Sequence, residues 1–100
     1  MVRHIILWKL KEALSEQEKQ AVKAGAKQGL EGLKGVVPGL LDMRVHTEGL
    51  PSSNADMMLE STFVDEAALK GYAKHPAHVA VADSKVRPFV QTRLCLDFNA

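Results

Sequence analysis

The chain has 100 residues, with 13 basic and 12 acidic side chains and a formal net charge of +1. That length implies one domain over residues 1–100 with a modest core, and the even charge balance excludes the electrostatic footprint of a nucleic-acid binder. The single cysteine, Cys95, excludes an internal disulfide and fits a reducing, cytoplasmic setting. The apolar N-terminal stretch is too short for a signal-peptide core or a membrane span, so no membrane association is expected.

Residues 2–10 read as a strand, rich in β-branched and aromatic side chains. Ile6, Trp8 and Leu10 share one face, Ile5 and Leu7 the other, so both faces need cover. Ser15 opens a helix, and Glu18 completes an S-x-x-E capping box. Val22, Ala26, Leu30 and Leu33 recur at helical spacing. Gly25, Gly29 and Gly32 lie on the same helix, where each costs about 1 kcal/mol against alanine. Two explanations stand side by side: close packing of helix on sheet, or room for a ligand.

Gly35 is expected to end this helix, and Pro38-Gly39 marks a turn. Leu40 to His46 reads as a second strand, with Leu41, Met43 and Val45 on one face and Asp42, Arg44 and His46 on the other. A polar loop over Glu48 to Asn54 leads into a third strand, Asp56 to Val64. Asp65 caps a second helix that runs through Tyr72 to Lys74. Pro76 breaks it, because it lacks an N–H and its ring clashes with the preceding turn. His75 is thereby pushed to extended geometry, and a short helical segment restarts with Pro76 in its first position. That segment runs to about Val86 and is stopped by Pro88. Gln91 to Phe98 is the last strand, with Thr92, Leu94, Leu96 and Phe98 inward and Gln91, Arg93, Cys95 and Asp97 on the other face.

The order βαββαβ is that of a ferredoxin-like α+β fold, an antiparallel sheet with helices on one face. The uncovered face would carry apolar side chains from the first and third strands. A patch of that size predicts association, and two such sheets packed face to face form a homodimeric α/β barrel.

The segment Tyr72-Ala73-Lys74-His75-Pro76-Ala77-His78-Val79 puts a phenol and two imidazoles within seven residues. Histidine changes charge near neutral pH and is the commonest general acid or base. The plainer reading of His78 is structural, its ring satisfying backbone groups where two helical segments meet. His75 is expected to be structural, its side chain capping the following turn, and His46 to be exposed. A metal bound by His75 and His78 with His4 or Asp83 is disfavoured, since Pro76 disturbs the helical geometry and no carboxylate or cysteine cluster accompanies them. Cys95 reads as a small buried or interfacial thiol, and Trp8 as a core residue. No strand leads into a phosphate-binding glycine loop.

His4 to Leu10, Val37-Pro38-Gly39-Leu40, His75-Pro76-Ala77-His78-Val79, Arg87-Pro88-Phe89 and Leu96-Asp97-Phe98 together resemble the stress-responsive α/β-barrel (Dabb) family over nearly the whole chain. The resemblance implies a ferredoxin-like subunit and a homodimeric barrel. It does not imply one activity, because a fold hosts many chemistries. A plant branch of polyketide cyclases, olivetolic acid cyclase among them, lines a pocket with a histidine on the first strand, a tyrosine on the second helix and the second histidine of H-P-x-H. Those positions match His4, Tyr72 and His78. The cyclase's further tyrosine on the first helix has no counterpart, since that stretch here is Ala24-Gly25-Ala26.

On this reading His78 is a general base, Tyr72 a hydrogen-bond donor to a developing enolate, and His4 an orienting group. The expected ligand-binding wall comprises Trp8, Ala26, Gly29, His75, Val79 and Phe89. No metal or organic cofactor is required. The ligand would be a small hydrophobic or carbonyl-containing molecule, and the activity that of a lyase or cyclase. A non-catalytic carrier or stress-associated dimer, and a cofactor-independent monooxygenase, are the competing functions.

Overall fold

The computed structural model describes residues 1–100. The strand β1 (Val2–Leu10) alternates strictly: Val2, His4, Ile6, Trp8 and Leu10 are buried under the helices, while Arg3, Leu7 and Lys9 face out. The helix α1 (Glu16–Glu31) starts with the expected reciprocal cap. The Glu18 N–H donates to the Ser15 hydroxyl at 3.1 Å, and the Ser15 N–H donates to the Glu18 carboxylate at 2.9 Å. Val22, Ala26 and Leu30 form its buried stripe.

This helix ends earlier than its sequence suggests. Gly32 caps it, donating its N–H to the carbonyls of Gln28 and Leu30, and Gly35 lies beyond in a turn with φ +85°. Gly32 therefore terminates the helix rather than weakening its interior. Gly39, at φ +80°, is required twice over: a Cβ there would lie 2.5 Å from the Cβ of Ala68.

The strands β2 (Leu40–His46), β3 (Met57–Phe63) and β4 (Val90–Asn99) complete one antiparallel sheet in the order β2-β3-β1-β4. Between β3 and β4 run α2 (Glu66–Lys74) and α3 (Pro76–Val81), then a π-helical turn over Ala82–Val86 and a 3-10 turn over Arg87–Phe89. Asp65 caps α2, its carboxylate accepting from the Ala68 N–H at 2.8 Å. Pro88 lies inside the 3-10 turn instead of stopping the path before it, because a proline at the start of a helical turn loses no intrahelical bond. The fold is ferredoxin-like, with the helices on one face of the sheet. No helix is long and apolar enough to cross a membrane.

Two facial assignments are corrected. A register shift between Leu40 and Asp42 puts an irregularity in β2, so Leu41 is exposed while Met43 and Val45 stay buried. In β4, the pairs His4↔Asp97, Ile6↔Cys95 and Trp8↔Arg93 place the polar set on the helix-covered face. Leu94, Leu96 and Phe98 consequently point away from the helices, with Leu94 and Leu96 64% and 66% exposed. The apolar side chains of the open face thus come from β1 and β4. From β3 only Met58 joins them, beside Glu60 and Thr62.

Of the two explanations for the helical glycines, packing accounts for Gly29. A Cβ there would stand 2.8 Å from Cγ1 of Val81, a β-branched side chain that is stiff at χ1. Gly71, in α2, has nothing within 4 Å of a built Cβ. Thermal or urea unfolding should therefore separate the two positions. Gly29→Ala is expected to destabilise by about 1–3 kcal/mol through overpacking. Gly71→Ala is expected to stabilise by about 0.5–1 kcal/mol through helix propensity.

Candidate active site

A cavity of about 270 Å³ lies between the sheet and the helical segments that follow β3. Ile6, Trp8, Leu30, Leu59, Leu69 and Val86 supply much of its apolar wall. The polar groups on it are His4, Tyr72, His78, Arg87 and Arg93.

The break at Pro76 positions the two central residues. His75 adopts φ −64° and ψ 130°, and its Nδ1 accepts the Ala77 N–H at 3.1 Å, capping α3 as its place in the sequence implies. Tyr72, in the last turns of α2, and His78, in α3, then stack with ring centroids 4.0 Å apart and an interplanar angle of 32°. Phe63 and His4 close the cluster at 5.0 and 6.1 Å from the Tyr72 ring.

Tyr72 is only 2% exposed, yet its hydroxyl has no hydrogen-bond partner, and neither has the buried Nδ1 of His78. Backbone carbonyls of Ala73 and Tyr72 lie by the His78 ring, as the structural reading expects, while Nδ1 has no partner. Leaving a buried polar atom unpaired costs about 1–3 kcal/mol, a large share of a stability of about 5–15 kcal/mol. The two residues that carry these atoms line the cavity.

Burial pushes the His78 imidazole below its ordinary value, and the charges of Arg87 and His4 act in the same direction. The carbonyls of Ala73 and Tyr72 oppose this without meeting Nδ1 in hydrogen-bond geometry. The ring is therefore neutral at neutral pH and able to accept a proton. Burial pushes the Tyr72 phenol far up, with Arg93 opposing, so the hydroxyl stays protonated and can donate.

His4 is buried on β1, and its Nδ1 meets the carboxylate of Asp97 across the β1–β4 ladder. A carboxylate only accepts, so Nδ1–H donates to Asp97. Cys95 completes this group, its thiol 3.5 Å from the Asp97 carboxylate and 3.7 Å from His4 Nδ1. One donor atom from each of the three lies within 4.8 Å of the others, the one such group in the chain with metal-ligand character. Its protons are held, however. Burial and then Asp97 push the Cys95 thiol above its ordinary value, and the His4 nitrogen that would ligate is already bonded. Cys95 itself is exposed rather than buried.

The structure brings His4, Trp8, Tyr72 and His78 onto one wall. It does not bring the other expected wall residues there. Ala26 is fully enclosed in the core, Gly29 packs against Val81, and His75 is the α3 cap. Val79 is half-buried on α3, and Phe89 borders a separate groove with Leu14 and Gly25. Conversely, Asp97, Arg93 and Arg87 escaped the sequence reading as site residues. For Asp97 and Arg93 the signal was the polar alternation of the last strand, which becomes informative only with the register against β1.

The chain matches the family described as the Stress responsive A/B Barrel Domain over residues 2–100. It belongs to that family. A dimeric ferredoxin-like protein from Bacteroides fragilis is similar to it at 28% identity and TM-score 0.93, with 99% of this chain and 95% of that one covered. A Dabb family protein from Mesorhizobium loti shares 25% identity at TM-score 0.75, over 99% and 95% of the two chains. A hydroxynitrile lyase from Passiflora edulis has the same fold at TM-score 0.73 and 20% identity, over 97% and 90%. No curated protein matches the chain. A similar solved structure is thus a dimer, and the fold is shared with a lyase.

The depressed His78 pKa has a sign that can be measured. Below the ordinary imidazole value of 6.5 the unfolded chain takes up the proton before the folded one does. The stability held by the neutral ring is full above that pH and is lost as pH falls towards the folded pKa. Melting temperature is expected to fall between about pH 7 and pH 5. His78→Gln should flatten that part of the profile. A parallel profile for variant and wild type would show that another group governs it.

Proposed function

We propose that this cavity binds a small carbonyl compound and transfers a proton on it without a cofactor, as a lyase or cyclase does. The unpartnered Tyr72 hydroxyl and His78 Nδ1, carried by two residues that line a largely apolar cavity, support the reading. His78 Nδ1 takes the proton from the carbon next to the carbonyl. The C–H pair becomes the enolate double bond, and the carbonyl π pair moves to oxygen. The Tyr72 hydroxyl donates to that oxygen, where negative charge develops. His4, held by Asp97, orients the substrate. The enolate then takes the proton back from His78, or attacks a second carbonyl carbon, whose π pair moves to oxygen and takes the His78 proton; either course restores the base.

Loss of an α-proton is read directly as deuterium incorporation by NMR in heavy water, using simple aryl and alkyl ketones. His78→Gln is expected to slow exchange by about 10²–10⁴-fold. Tyr72→Phe is expected to slow it by about 10²–10³-fold. Wild type that binds ketones but exchanges no faster than buffer would instead be a carrier.

The working unit of this proposal is a homodimer. Leu94, Leu96 and Phe98 form an apolar strip on the helix-free face, with Leu7 of β1 beside them. Patches of this kind mark association surfaces, and a second copy of the same sheet is self-complementary to it. Sedimentation equilibrium is expected to give a dimer for wild type and a monomer for Leu96→Glu. A Leu96→Glu protein that stays dimeric would put the interface elsewhere.

A further inference from the structure

No Asp or Glu lines the cavity, whereas two arginines do. They are not equivalent. Arg87 is neutralised by Asp83, four residues earlier on the same helical path. Arg93 takes part in none of the chain's ion pairs. It sits on β4 opposite Trp8, exposed, and lines both this cavity and a neighbouring one that Glu66 and Asp97 also line without pairing with it.

We propose that the cavity's ligand is a carboxylate, an apolar keto acid whose single negative charge is held by Arg93 at the rim while its carbonyl reaches Tyr72. This rests on the proton-transfer reading above and names the substrate class for it. A guanidinium offers two parallel N–H donors that match a carboxylate, and the pairing strengthens beside an apolar wall of low dielectric. One unpaired cation fits one negative charge. Ten of the 14 lining residues are hydrophobic, which leaves little for a polyanion such as a phosphate ester. A volume of about 270 Å³ is at the small end for ligand cavities and favours a compact acid. Arg93 and Tyr72 line the same cavity, so one molecule in it can meet both.

The test pairs each keto acid with its own methyl ester, which keeps the ketone and removes the charge. Levulinate, 4-oxononanoate and 4-oxo-4-phenylbutanoate are titrated calorimetrically at pH 7.5 against wild type, Arg93→Gln and Arg93→Lys. At least one acid is expected to bind wild type tenfold or more tightly than its ester. Arg93→Gln should bring the acid's Kd to that of the ester, and Arg93→Lys should keep part of the preference, since it retains charge but not the fork. Equal Kd values for acid and ester in wild type overturn the carboxylate proposal and leave the ketone-binding cavity standing. Acid preference that survives in Arg93→Gln likewise overturns it, pointing to Arg87. Failure of every acid and every ester to bind overturns both this proposal and the proton-transfer reading beneath it.

Discussion

The ladder between β1 and β4 pairs His4 with Asp97, Ile6 with Cys95 and Trp8 with Arg93. Directly opposed residues in an antiparallel pair share a face, so this register decides what each side of the sheet carries. On the helix-covered side it supplies an acid to hold His4 and a cation to the cavity rim. On the open side it assembles an apolar strip. A shift of one residue would exchange the two sets, sending Asp97 and Arg93 out and burying the leucines beneath the helices. Site and association surface are thus two consequences of one strand pairing.

The second constraint is local. Pro76 ends one helix and starts the next, and His75 caps the restart with its own ring. The turn that results stacks His78 on Tyr72 inside the layer between helices and sheet. Burial there has opposite consequences for the two groups. It lowers the imidazole pKa and raises that of the phenol, so both neutral forms are favoured in one apolar site. The Tyr72 hydroxyl and His78 Nδ1 have no protein partner at this point.

Elements with their own punctuation were legible in the sequence. The capping box at Ser15, the Asp65 cap, the Pro76 restart and the buried stripe of α1 all depend on residues within a few positions of one another. Tyr72 and His78 were legible for the same reason, being six residues apart across one predictable break. The errors fell where distant segments decide the outcome. The end of α1 moved to Gly32 because the chain had to turn into β2, and Leu41 turned outward at an irregularity in the β2–β3 pairing. The leucines of β4 read as inward because alternation says that two faces exist, not which of them the helices cover. Ala26 and Gly29 were expected at a cavity and instead bring α1 close to the sheet and to Val81.

By itself, then, the sequence determined the element order, the helix caps, the antiparallel α+β class and the Tyr72–His78 pair, because each is written in short-range spacing and backbone sterics. Only the tertiary structure decided that Asp97 stands beside His4, that Arg93 faces the cavity without a counter-charge, and that the apolar side of β4 is left uncovered. Those facts depend on strand register across 93 residues of chain, and no local preference encodes the partner of a side chain that far away.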